Sequence, residues 1–128
     1  MTKKIILSEH APKPVGPYNQ AVRTGNLVFC AGQIPINPKS GKMEAQDITA
    51  QTQQIFANIK AVLAAAGTSL EQVVKATVFM KDLSDFGKMN EVYAQHFKSE
   101  SAPARSTFQV ARLPMDALVE IEVIAEVK

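Results

Sequence analysis

The stretch Leu118-Val119-Glu120-Ile121-Glu122-Val123-Ile124-Ala125-Glu126-Val127 decides the architecture. Val119, Ile121, Val123, Ala125 and Val127 recur with a period of two, while Glu120, Glu122 and Glu126 take places between them. That alternation predicts a strand with one apolar face. Upstream the period changes. Ile48, Thr52, Ile55, Ile59, Val62, Leu63 and Ala66 fall at steps of three and four, one face of a helix, with Asp47 as N-cap and Gly67 as stop. Residues 73–81 return to a strand. A second helix is predicted from Ser84 or Asp85 to about residue 98, with Phe86, Met89, Tyr93 and Phe97 inward. Gly87 weakens its first turn, because glycine costs ~1 kcal/mol relative to alanine there. Pro103 and Pro114 bracket a short strand over 105–110.

Before the first helix the chain is richer in turns. A short strand is predicted over 4–7, followed by a loop over 9–17 in which Pro12, Pro14 and Pro17 remove backbone donors. Residues 18–23 and 27–31 flank Thr24-Gly25-Asn26 as a hairpin. Residues 32–41, with Pro35, Pro38 and Gly41, form a second loop. The order is strands, helix, strand, helix, strands. This predicts an α+β fold of one domain over residues 1–128, with about six strands and two long helices.

The length of 128 residues suits one domain, and at 46% hydrophobic and 20% charged the chain lacks the signature of disorder. Such a chain buries roughly two-thirds of its unfolded surface without staples. The net charge is +2, and the eleven lysines are dispersed, so the clustered basic face of a nucleic-acid binder is not expected. Cys30 is the single cysteine, which excludes an internal disulfide. The longest apolar run, residues 61–66, falls far short of the roughly twenty needed to span a membrane. The first ten residues lack the apolar stretch of a secretory signal. A soluble, cytoplasmic protein is expected.

The strands also bear on assembly. Residues 27–31 and 73–80 are apolar on both faces, whereas two helices side by side cover only one face of a sheet this size. The remaining apolar face needs a partner, and a second copy is the simplest, so a homo-oligomer is expected.

Familiar catalytic constellations are absent. His10 and His96 show no metal-ligand spacing, no metal is expected, and neither a serine-hydrolase elbow nor a glycine-rich phosphate motif occurs. Cys30 reads as a small buried hydrophobe. Arg105, at the start of a strand, suits either a surface salt bridge or a bidentate clamp on a carboxylate. Glu120 is either a solvated residue of an alternating strand or a working carboxylate. Tyr18 by itself reads as a packed loop anchor.

Together these residues are more specific. Pro103-Ala104-Arg105-Ser106-Thr107-Phe108-Gln109-Val110-Ala111-Arg112-Leu113, followed by Val119-Glu120-Ile121, resembles the signature of the RidA family of enamine/imine deaminases. The leader Ala11-Pro12, Pro14, Gly16-Pro17-Tyr18, Gln20-Ala21 is similar to that family too. So are Cys30-Ala31-Gly32-Gln33-Ile34-Pro35 and the segment with Asn90 and Tyr93. The resemblance spans essentially the whole chain.

It implies a chorismate-mutase-like α+β fold, both helices on one face of a mixed sheet, and a homotrimer with clefts between subunits. It further implies hydrolysis of 2-enamine and 2-imine acids, such as 2-aminoacrylate and 2-aminocrotonate, to 2-keto acids and ammonia, with no cofactor. In that reading Arg105 grips the substrate carboxylate, helped by the backbone N–H of Thr107. Glu120 serves as general base toward water and assists tautomerisation. The Gly32 carbonyl accepts from the substrate nitrogen or the water, and Tyr18 walls the cleft, from a neighbouring chain. Asn90 orders a loop or interface. Thr107 stands where many relatives carry cysteine, which puts thiol-based regulation there in doubt. Two other readings stay open: a small-acid-binding or chaperone-like protein without turnover, and an RNA-directed translation inhibitor.

Overall fold

A computed structural model describes residues 2–128. Six strands, β1 (Lys4–Ile6), β2 (Ala21–Thr24), β3 (Leu27–Cys30), β4 (Val73–Met80), β5 (Ala104–Gln109) and β6 (Val119–Glu126), form one sheet. Its order is β1-β2-β3-β6-β4-β5, antiparallel throughout except for the β4–β5 pair. Two helices, α1 (Ile48–Ala65) and α2 (Phe86–His96), connect the later strands and pack on one face. The α+β expectation is borne out.

Local chemistry sets the helix ends. The Asp47 carboxylate accepts from the Ala50 N–H at 2.8 Å, satisfying a donor that the first turn leaves free. At the other end Gly67 takes φ +80°, and Thr68 N–H reaches back to the Leu63 carbonyl at 2.9 Å while Gly67 N–H bonds Ala64 at 3.0 Å. These two bonds make a Schellman closure, which glycine favours because the left-handed conformation costs it nothing. The predicted α1 face is buried: Ile55, Phe56, Ile59, Val62 and Leu63 are essentially inaccessible. Truncating Ile59 or Leu63 to alanine would cost about 2–5 kcal/mol.

α2 is shorter than the sequence suggests. A tight turn over Leu83–Asp85, capped by Asp82 on the Ser84 N–H, precedes it, and Phe97 ends it in extended geometry. Met89, Val92 and Tyr93 are buried, Phe97 beside them, while Phe86 is only half-buried. The hairpin also begins later than expected, at Ala21. The Gln20 carbonyl still accepts from the Ala31 N–H at 2.9 Å, while its buried side-chain amide donates to the Ser8 and Pro12 carbonyls at 3.1 and 2.9 Å. That amide ties the proline-rich leader to the sheet.

β6 alternates as its sequence dictates, Val119, Ile121, Val123 and Ala125 buried beneath the helices. The opposite face stays open. Phe29, Phe108 and Ile5 are 43%, 52% and 46% exposed on it, and Phe79 stacks on Phe108 at 6.5 Å. Cys30 faces the core. No helix is long and apolar enough to cross a membrane among the described residues.

Candidate active site

Two groups of residues emerge at two places. The first is built around Arg105. Paired with Ala76, it faces the helix side of β5, beneath α2. Its Nη1 donates to Asn90 Oδ1 at 2.7 Å, and its guanidinium lies 4.5 Å from the Tyr93 ring centre and 5.4 Å from that of Phe86. Phe86, Asn90 and Tyr93 are spaced four and three apart, so one face of α2 presents all three to the guanidinium. No carboxylate pairs with Arg105; among the described residues the ion pair is Lys81–Asp116. The surface-salt-bridge reading of Arg105 therefore fails. The Tyr93 and Thr107 hydroxyls nearby are buried without a hydrogen-bond partner among the described residues. Burial pushes the Tyr93 hydroxyl above its ordinary value, and the Arg105 guanidinium beside it pulls the other way.

β5 is the sheet's edge. Val110 N–H bonds the Met80 carbonyl at 2.9 Å, which fixes the phase of the parallel ladder. By alternation the N–H groups of Arg105, Thr107 and Gln109 then point away from β4, unclaimed by the sheet. The guanidinium and the outward edge N–H groups thus stand together as donors at one corner of the sheet.

The second group is built around Glu120. Paired with Phe79, it lies on the open face. β3 and β6 pair Phe29 with Ile124, yet Gln33 pairs with Ile121. One extra residue is thus accommodated at Ala31-Gly32, a β-bulge. The bulge brings the Gly32 α-carbon against Glu120: a methyl group there would overlap Oε2 and lie 2.8 Å from Cδ. Glycine leaves the room for this approach, and its backbone angles do not call for it. Glu120 is half-buried, and its carboxyl is held above the ordinary range, first by desolvation and then by the neighbouring Glu122.

Gly32, Glu120 and Tyr18 line one cavity of about 510 Å³, whose other walls are mostly apolar, including Val15, Ile34, Ile36 and Met115. Arg105, Thr107 and Asn90 do not line it. The structure thus brings Tyr18, Gly32 and Glu120 together, brings Arg105, Asn90 and Thr107 together, and keeps the two sets apart. Asn90 sits on α2, outside any loop, and its Oδ1 accepts from the guanidinium. Tyr93 and Phe86, assigned to the core from periodicity, are the ring partners of Arg105. Their spacing around Asn90 carried that signal. Among the described residues no three His, Cys, Asp or Glu side chains converge as metal ligands do.

A mixed α+β sheet with helices on one face, an open apolar face and this pair of margins defines the class, the chorismate-mutase-like fold. Comparison with known proteins agrees. The model of the family described as endoribonuclease L-PSP matches residues 8–127. A RutC family protein of Pyrococcus horikoshii is 58% identical over 123 residues, 96% of this chain and 97% of its own. The Escherichia coli K12 protein named 2-iminobutanoate/2-iminopropanoate deaminase is 48% identical over 124 residues, 95% and 96% of the two chains. The solved structure of E. coli TdcF with bound serine superposes with a TM-score of 0.91 at 46% identity, covering 98% and 99%. The chain belongs to the endoribonuclease L-PSP family, the group of the RutC and RidA proteins, as the sequence resemblance implied.

Proposed function

We propose that this protein hydrolyses 2-imino and 2-enamino acids to 2-keto acids and ammonia, in clefts between the subunits of a homotrimer. The observation that carries the reading is the partition of the site: an unpaired guanidinium at one margin and a carboxylate with a raised pKa in an apolar cavity at another. Each half lacks what the other supplies. A second copy docking its β5 edge over the first copy's cavity completes the pair.

In this mechanism Arg105 holds the substrate carboxylate through two parallel N–H···O bonds, and the outward N–H of Thr107 adds a third. Position and plane of the imine carbon are thereby fixed. An enamine first gains a proton at C3 and loses one from nitrogen, Glu120 assisting, to become the imine. Glu120 of the facing subunit accepts a proton from water as its oxygen bonds to C2, then returns that proton to nitrogen. Glu120 then carries the hydroxyl proton to nitrogen as the C–N bond breaks, so that ammonia leaves and the hydroxyl oxygen becomes the keto oxygen. The Gly32 carbonyl accepts a hydrogen bond from the nitrogen or the water. Tyr18 closes one wall. Placement and general-base assistance are sufficient, because imines already hydrolyse in water; base assistance contributes roughly 10²–10⁴-fold. The name of the 48% identical E. coli relative supports this chemistry, and the serine in TdcF supports a site for a small 2-amino acid.

The test generates 2-aminoacrylate with a serine dehydratase and follows pyruvate. The native chain is expected to speed its appearance, and Arg105→Ala to abolish that effect. Glu120→Gln should retain 2-ketobutyrate binding with slowed hydrolysis. Keto-acid binding without any acceleration would replace the enzyme with a binding protein.

A further inference from the structure

The turn between β5 and β6 holds two consecutive non-glycine residues in the left-handed region, Met115 (φ 56°, ψ 22°) and Asp116 (φ 55°). No other non-glycine residue among those described has positive φ. In this conformation the side chain crowds its own backbone, a penalty that aspartate eases with a short polar group and methionine does not. Such geometry persists only where its surroundings impose it. Here they do. Leu113 and Ala117 are buried on either side, Asp116 and Ala117 N–H bond Leu113 and Pro114 at 3.1 and 3.2 Å, and Lys81 at the end of β4 donates to Asp116 Oδ2 at 3.0 Å.

The consequence is the placement of Met115. Met115, 56% exposed, lines the Glu120 cavity together with Val15, Ile34 and Ile36. At about 510 Å³ that cavity is far larger than the methyl or ethyl group of the smallest imino acids requires. What meets a substrate side chain there is the apolar lining, Met115 included. We propose that Met115 is a specificity-determining residue whose unbranched thioether packs on the substrate side chain, so that the site favours branched, leucine-like 2-imino acids over short ones. This rests on the deaminase reading above. The left-handed turn is what brings this flexible apolar side chain to the cavity.

The experiment compares imines generated in situ by an amino-acid oxidase from leucine and from 2-aminobutyrate, together with calorimetric Kd values for the matching 2-keto acids. Met115→Ala is expected to lower the leucine-to-aminobutyrate ratio of kcat/KM about fivefold, with the ratio of affinities following. Met115→Gly should lower it equally yet melt above Met115→Ala, since glycine tolerates the turn. Met115→Leu should keep the ratio within twofold, roughly. Unchanged ratios in both truncations, or Met115→Gly melting below Met115→Ala, would overturn the assignment. If the native protein hydrolyses neither imine, the deaminase reading falls, and the keto-acid affinity ratio alone decides for or against Met115.

Discussion

Arg105 and Glu120 lie on opposite faces of one sheet, with β4 between their strands. Arg105 pairs with Ala76, whose side chain is in the core, and Glu120 pairs with Phe79, which faces the open side. No rotamer change brings the two side chains around the sheet. Any chemistry that needs both must take them from different copies.

That relationship gives a complementation test. Alone, Arg105→Ala is expected to be inactive and Glu120→Gln strongly slowed. Unfolded together and refolded as a one-to-one mixture, they should regain about a quarter of native activity, the fraction of sites that draw both intact residues. No recovery would place both residues of each site in one chain.

Gly32→Ala tests the close approach at the bulge. The added methyl has no room beside the Glu120 carboxylate, so that side chain must swing away. Backbone angles at position 32 suit alanine, and the fold should survive by circular dichroism. A loss of about 10²-fold in kcat is expected, the scale of a displaced general base.

The raised Glu120 pKa sets two pH effects. Desolvation and Glu122 both favour its protonated form. Glu122→Gln removes the second cause, so the acid limb of kcat/KM should move to lower pH. In stability, a carboxyl that protonates more readily folded than unfolded makes the fold weaker as pH rises from the ordinary carboxylate range through the raised value. Glu120→Gln removes that loss. Its Tm should exceed the native value at about pH 7.5 and match it at about pH 3.5.

Asn90 holds the guanidinium in plane by a charge-assisted bond of 2.7 Å. Asn90→Leu is expected to weaken 2-ketobutyrate binding about tenfold by calorimetry, with a smaller change in kcat. An equal loss in kcat alone would assign Asn90 to the chemical step.

Cys30 should be inert. Burial pushes its thiol up to about 12, so almost no thiolate forms at neutral pH. Iodoacetamide is expected to leave the native protein unmodified at about pH 8 and to label it once unfolded. Hypochlorite or peroxide acting through a thiol at the site is not expected, since position 107 is threonine.

The chain's own periodicities were sufficient for much of this. Ile55, Ile59, Val62 and Leu63 mark a buried helix face, and Val119 to Val127 a one-sided strand, because spacing along the backbone directly sets which side chains share a face. Asp47 and Gly67 mark the ends of α1 through bonds made within a few residues. The family residues, Arg105 and Glu120 among them, were equally legible as a pattern. What the pattern left open was which face each occupies relative to the other, how the Ala31-Gly32 bulge seats Glu120, why Asn90 matters, and where Met115 points. Those depend on strand order, register and helix docking. A single inserted residue in a ladder, or a neighbour brought in from seventy positions away, reverses such relations without altering any local preference.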